Sequence, residues 1–175
     1  MNEGFVVWIT GLPCSGKTTI SRILEDALKR RGLKVEVFDG DEVRRNLSPD
    51  LRFSKDAGET HVKRVAYMSK LLPRNDVAVI VALISPYIEI RRYARGLVEN
   101  FVEVYTKCSI ETCIQRNTKG LYKKALNCEI TDFAEVQEPC EEPENPELVL
   151  DTEKQKPEEN VERILLILRE LELIG

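Results

Sequence analysis

Gly11-Leu12-Pro13-Cys14-Ser15-Gly16-Lys17-Thr18 separates an apolar stretch from a helix-like one. Before it, Phe5-Val6-Val7-Trp8-Ile9 reads as a strand buried on both faces. After it, Ile20, Ile23, Leu24, Ala27 and Leu28 fall on one helical face until Gly32 stops the pattern. Gly-x4-Gly-Lys-Thr between strand and helix is the spacing of a phosphate-cradling loop. Its glycines let the backbone curl so that successive N–H groups point inward, and the helix N-terminus adds partial positive charge. Lys17 supplies an ammonium for the β- and γ-phosphates, and the Thr18 hydroxyl is a Mg²⁺ ligand. The loop therefore predicts ATP with Mg²⁺. Cys14 reads as a small spacer, although a helix N-terminus also favours its thiolate.

Outward from the loop, strand and helix patterns alternate. Strands are expected over residues 5–10, 35–38, 77–84, 102–106 and 148–151. Helices are expected over 17–31, 42–47, 55–72, 88–100 and 110–117, with a last one starting at Pro157 and carrying the stripe Val161, Ile164, Leu165, Leu168, Leu171. This predicts an α/β P-loop NTPase fold in three layers, a parallel five-stranded sheet with helices on both faces. Residues 118–146 are rich in charge and proline without apolar periodicity, which suits a mobile lid on a single kinase domain spanning 1–175.

Ligands of such sheets sit at the carboxyl ends of the strands. Three features converge there: the loop, the Asp39-Gly40-Asp41 turn and Ser85. The third strand runs into Ser85 without an acid, so the nearest strand-end carboxylates are Asp39 and Asp41. That placement suits a small-molecule kinase, in which one carboxylate holds hydrated Mg²⁺ and accepts the proton of the acceptor hydroxyl. No Asn-Lys-x-Asp base-reading motif of a switch GTPase is present.

The whole chain narrows the class further. Its 175 residues allow one sizeable core. Against 26 basic residues stand 30 acidic ones, a net charge of −4 that argues against broad nucleic-acid or membrane binding. Cys14, Cys108, Cys113, Cys128 and Cys140 form neither a C-x-x-C pair nor a zinc-like spacing with the one histidine. With no charged-then-apolar leader at the start, a cytoplasmic location is expected.

Several segments together resemble adenylylsulfate (APS) kinases, which phosphorylate the ribose 3′-hydroxyl of APS to make PAPS in sulfate assimilation. They are Gly11 to Thr19, Phe38-Asp39-Gly40-Asp41-Glu42-Val43-Arg44, Ile84-Ser85-Pro86-Tyr87 with Arg91 and Arg95, Phe101-Val102-Glu103-Val104-Tyr105, Lys119-Gly120-Leu121-Tyr122-Lys123-Lys124-Ala125, and the tail around Pro139-Cys140-Glu141. The resemblance implies that the loop from Gly11 to Thr19 binds ATP, that Asp41 is the base and a metal-side acid, and that Asp39 supports it. It implies that Arg44 binds the phosphosulfate, that Phe53 and Phe133 sandwich the acceptor adenine, and that Ile84 and Ser85 line the acceptor pocket. Arg116 and Lys119 would belong to the lid over ATP. The Ser85 position carries the family's phosphoserine label, which in-line transfer does not require. A homodimer and a functional link to an ATP sulfurylase are implied in the same way.

The acceptor side departs from the family. Where Asp-Arg-x-Glu-Asn-Ile-Arg-Arg is usual, this chain has Ala57-Gly58-Glu59-Thr60-His61-Val62-Lys63-Arg64. Gly58 replaces the arginine that grips the acceptor and His61 the asparagine beside it; Phe133-Ala134-Glu135 replaces Phe-Thr-Gly. His61 or Lys63 substitutes only in part, since neither is a guanidinium fork. Arg91 and Arg95, four apart on one helical face, fit either an anionic acceptor or a solvated surface. The expectation is an APS kinase; the alternatives are a kinase for another small anionic acceptor and a nucleotide-binding module of low turnover.

Overall fold

The protein is seen in a computed structural model that describes residues 4–51, 54–117, 120 and 140–175. Five parallel strands form the sheet: β1 (Val6–Thr10), β2 (Lys34–Asp39), β3 (Val77–Ala82), β4 (Phe101–Lys107) and β5 (Leu148–Asp151). Their order is β2-β3-β1-β4-β5, which places β1, and the loop that follows it, at the centre. The described helices are α1 (Lys17–Arg30), α2 (Gly40–Leu47), α3 (Lys55–Leu71), α4 (Ile88–Leu97), α5 (Ile110–Gln115) and α6 (Pro157–Glu170).

Side chains alternate across a strand, so the apolar runs of the central strands feed two cores at once. Phe5, Val7, Ile9, Ile80, Val104 and Leu150 point to one face, where Leu24 and Leu28 of α1 and Ile164, Leu165 and Leu168 of α6 cover them. Val6, Trp8, Val79, Val81 and Phe101 point to the other, under Val62, Val65 and Ala66 of α3 and Ile90 and Ala94 of α4. The three layers follow directly from β1 and β3, both apolar on both sides.

Several boundaries differ from the periodicity; α4, for one, ends at Leu97 rather than at 100. The third strand stops at Ala82 rather than at 84, because its partners run out: Ala82 pairs with Ile9 on one side and with Asp39, the last residue of β2, on the other. Residues 83–87 are thereby released to reach over the carboxyl edge of the sheet. The terminal stripe ends one residue early, with Leu171 an exposed C-cap rather than a core residue. The expected lid over 118–146 lies for the most part outside the described residues.

Candidate active site

The loop after β1 is shaped by backbone constraints that only some residues satisfy. Gly11 has φ 150°, and a Cβ there would come within 2.2 Å of the Thr106 hydroxyl and 2.7 Å of its carbonyl oxygen. Gly16, just before α1, has φ 99°. Cys14 adopts φ 63°, a left-handed conformation that costs a non-glycine residue energy and recurs where a site demands a fixed geometry. Its reading as a plain spacer missed this.

Around that backbone, hydroxyls tie the loop to the sheet. The Thr106 hydroxyl donates to Thr10 O at 3.0 Å and lies 2.7 Å from Ser15 Oγ. With the Thr106 proton committed to the carbonyl, Ser15 is the donor to Thr106, so its hydroxyl points inward. Lys17 is buried, its Nζ donating to Gly11 O at 2.8 Å and to Leu12 O at 2.6 Å. Leu12 and Cys14 rest on buried Cys108 and Cys113, and no disulfide links the four described cysteines.

Asp39 joins the loop to the next element. Its Oδ2 accepts the Thr18 hydroxyl at 2.7 Å, and its Oδ1 accepts Asp41 N at 3.2 Å as the N-cap of α2. Capping fixes the first turn of α2, where Asp41 is exposed, and Arg44 follows at i+3 on the same face. Thr18 and Asp39 bring hard oxygen donors together beside the loop, with Asp41 in the adjoining turn, the donor type that Mg²⁺ prefers.

His61 and Arg64 sit where α3 passes the end of α2. The His61 ring is buried, with Nδ1 2.9 Å from Ser48 Oγ and Nε2 without a partner among the described residues. Arg64 grips Asp50 through two bonds of 2.7 and 2.8 Å, which holds that carboxyl down at about 2. Burial, reinforced by the positive charges of Arg44 and Arg64, pushes His61 down from 6.5 to about 4. The unfolded chain therefore takes up a proton below pH 6.5 that the folded chain refuses until about 4. Stability contributed by neutral His61 is complete above that window and is lost as pH falls through it. The loss approaches roughly 3 kcal/mol at pH 4. His61→Asn should flatten the curve between pH 6.5 and 4 in urea melts; an unchanged slope would show that His61 is not its source.

Three sequence expectations need correction. Ser85 was expected at the chemistry, but its side chain is fully buried, accepting Trp8 Nε1 at 3.0 Å and lying 2.9 Å from Thr10 Oγ1. It is a strut behind the crevice, while Ile84 beside it remains half-buried. Arg91 is neither surface nor open to an anion. It is buried, 3.1 Å from Glu103 Oε1, and donates to Ser85 O and to Glu141 O. Arg95 is engaged by Glu147 through two bonds of 2.8 Å and by Glu103 at 3.2 Å. Arg116 lies near the end of β5, donating to Thr152 O at 2.8 Å. Phe53, Lys119 and Phe133 lie outside the described residues.

A central strand leading into a glycine-bounded loop and helix, with a helix-capping carboxylate at the end of β2 that bonds the loop's threonine, defines a P-loop phosphotransferase. The family model for adenylylsulphate kinase matches residues 3–151, and the chain belongs to the adenylylsulfate kinase family. It is 46% identical over 164 residues to a probable adenylyl-sulfate kinase of Pseudomonas aeruginosa, covering 94% of this chain and 77% of that one. It is 47% identical over 169 residues to a probable bifunctional SAT/APS kinase of Sorangium cellulosum, 97% of this chain but 29% of that longer protein. Among solved structures, the Mycobacterium tuberculosis APS kinase in complex with AMPPNP and APS superposes with a TM-score of 0.91 at 33% identity, over 97% of this chain and 99% of the other.

Proposed function

We propose that the chain transfers the γ-phosphate of ATP to the 3′-hydroxyl of APS, forming PAPS and ADP. The observation that carries this reading is the Asp39 bridge: one carboxylate holds both the Thr18 hydroxyl of the loop and the first turn of α2. It presents Asp41 and Arg44 to whatever occupies the loop mouth. In that reading the loop N–H groups and Lys17 take the phosphates, the ammonium exchanging its two carbonyl partners for phosphate oxygens. Thr18, Asp39 and Asp41 would hold Mg²⁺, which would supply charge neutralisation to the phosphates. Asp41 takes the proton of the attacking hydroxyl, and Arg44 steadies the acceptor anion.

The proposal treats the chain as one kinase unit acting as a homodimer, with an ATP sulfurylase supplying APS; the fused SAT/APS kinase relative fits that pairing. No helix among the described residues is long and apolar enough to cross a membrane, and a cytoplasmic place is part of the proposal.

A second reading, a kinase for another small anionic acceptor, draws on Gly58 and on the buried, uncharged His61. An ADP-release assay with APS, gluconate, shikimate and nucleoside monophosphates separates the two. Turnover with APS supports the first reading, and turnover only with another acceptor supports the second. Nucleotide binding without turnover would overturn both.

Gly58 offers a gain-of-function test. A Cβ there meets nothing within 4 Å, so a side chain has room. Glycine inside a helix costs about 0.5–1 kcal/mol relative to alanine, and arginine is nearly as favourable as alanine. Gly58→Arg should therefore stabilise α3 slightly and tighten APS binding by roughly ten- to a hundredfold, the worth of a charge-assisted contact. Calorimetry with APS that shows no gain would argue that position 58 does not face the acceptor.

A further inference from the structure

Residues 140–147 run along α4 from residues 86–88 to β5 and are fastened at Glu141. The Glu141 N–H donates to Pro86 O at 2.8 Å. Its carbonyl accepts Arg91 Nη2 at 2.7 Å, and the same guanidinium donates to Ser85 O through Nη1. Its carboxylate Oε2 accepts the N–H of Ile88, the first residue of α4, at 2.6 Å. Helix α4 has no cap of its own: Tyr87 stands at the N-cap position without a side-chain hydrogen bond. A residue 53 positions away in sequence supplies the missing acceptor, and its negative charge lies at the positive end of the helix.

We infer that Glu141 is the positioning residue for the acceptor-side wall formed by residues 84–88. This rests on the proposed APS kinase activity, because that wall is where the acceptor is assigned. Ladder pairing of β3 ends at Ala82, so beyond Leu83 the wall has no ladder partner, and β1 reaches it through the side chains of Trp8 and Thr10 on Ser85. Glu141 adds support at three points: Ser85 through Arg91, Pro86 through its own N–H, and Ile88 through its carboxylate. Fixing the backbone here fixes Ile84, one of the half-buried side chains of the wall, without Glu141 touching substrate. The loop around Lys17 is braced by Thr106 and Asp39 and meets the wall through Thr10 and Ser85, neither of which the Glu141 carboxylate contacts, so the larger effect falls on the acceptor.

The test is steady-state kinetics on Glu141→Ala, Glu141→Gln and Glu144→Ala. Glu141→Ala should raise KM for APS about tenfold, as loss of one charge-assisted hydrogen bond does, while KM for ATP changes less than about twofold. Glu141→Gln keeps an oxygen for Ile88 N and should recover most of the loss. Glu144, exposed in its ion pair with Arg92, is the control from the same segment, and Glu144→Ala should leave both constants unchanged. Calorimetric titration of APS onto the AMPPNP-loaded variants gives the same ranking without turnover. An equal rise in both KM values, or none, would overturn the inference. Wild-type protein without APS turnover would instead overturn the proposed function.

Discussion

Lys17→Ala should lose APS phosphorylation by about a thousandfold or more while the protein remains folded. The magnitude follows from what the ammonium does: removing one preorganised donor from a developing anion costs about 10²–10³ in rate, and a full charge at the transferring phosphate is worth at least that. Burial sharpens the effect, since Lys17 is only 8% exposed and its charge acts in a poorly screened site. Two loop carbonyls, Gly11 O and Leu12 O, are its hydrogen-bond acceptors. Water can replace the ammonium at both, so the melting temperature should move little. ADP release with saturating APS, alongside a thermal melt, checks both halves. Activity within tenfold of wild type would overturn the assignment of the loop.

Arg91→Met should produce the largest stability loss. Arg91 and Glu103 are 3% and 8% exposed at their side chains, and breaking a buried pair by removing one partner costs about 3–5 kcal/mol. Arg95 remains 3.2 Å from Glu103 and offsets part of this. Against that, Ser85 O and Glu141 O lose their common donor. The two corrections oppose each other, which keeps the expected cost inside that range. For a chain of this size it corresponds to a fall of roughly 10 °C in Tm. Arg91→Met with Glu103→Gln should be less destabilised than the sum of the single changes, because the stranded charge is gone. Strict additivity in urea melts would show that the two side chains do not form a coupled pair.

Arg91 also marks the limit of what the sequence made legible. The strand at 5–10, the loop and the helix at 17–31 were readable because their signals are local: an apolar run, glycine spacing and helical periodicity. Asp39 was readable as a carboxylate at a strand end, but its capping of α2, which starts at Gly40 rather than at 42, was not. Arg91 and Arg95 have these partners 8 to 52 positions away, at Glu103, Glu141 and Glu147, and nothing local distinguishes a helix face that meets them from one that meets water. Ser85 misled in the opposite direction. Its place after the third strand was read correctly, but the direction of its hydroxyl depends on Trp8 and Thr10, which only the assembled sheet brings to it. The hydroxyl chain from Ser15 through Thr106 to Thr10 left no trace in the sequence. His61 was noticed as a departure from the family pattern; its burial and its lost basicity come from the packing of α3 against Ser48.

The donor half of the site is thus local in sequence, while the acceptor half is assembled from distant segments, and the account is most exposed there. Its central claim is transfer to the 3′-hydroxyl of APS. The direct measurement is ³¹P NMR of the product formed from ATP, Mg²⁺ and APS by the wild-type protein. A new phosphomonoester on the ribose 3′-oxygen, formed in step with ADP, is the predicted result. ADP formed with APS unchanged, or a phosphate delivered only to a different acceptor, would contradict it.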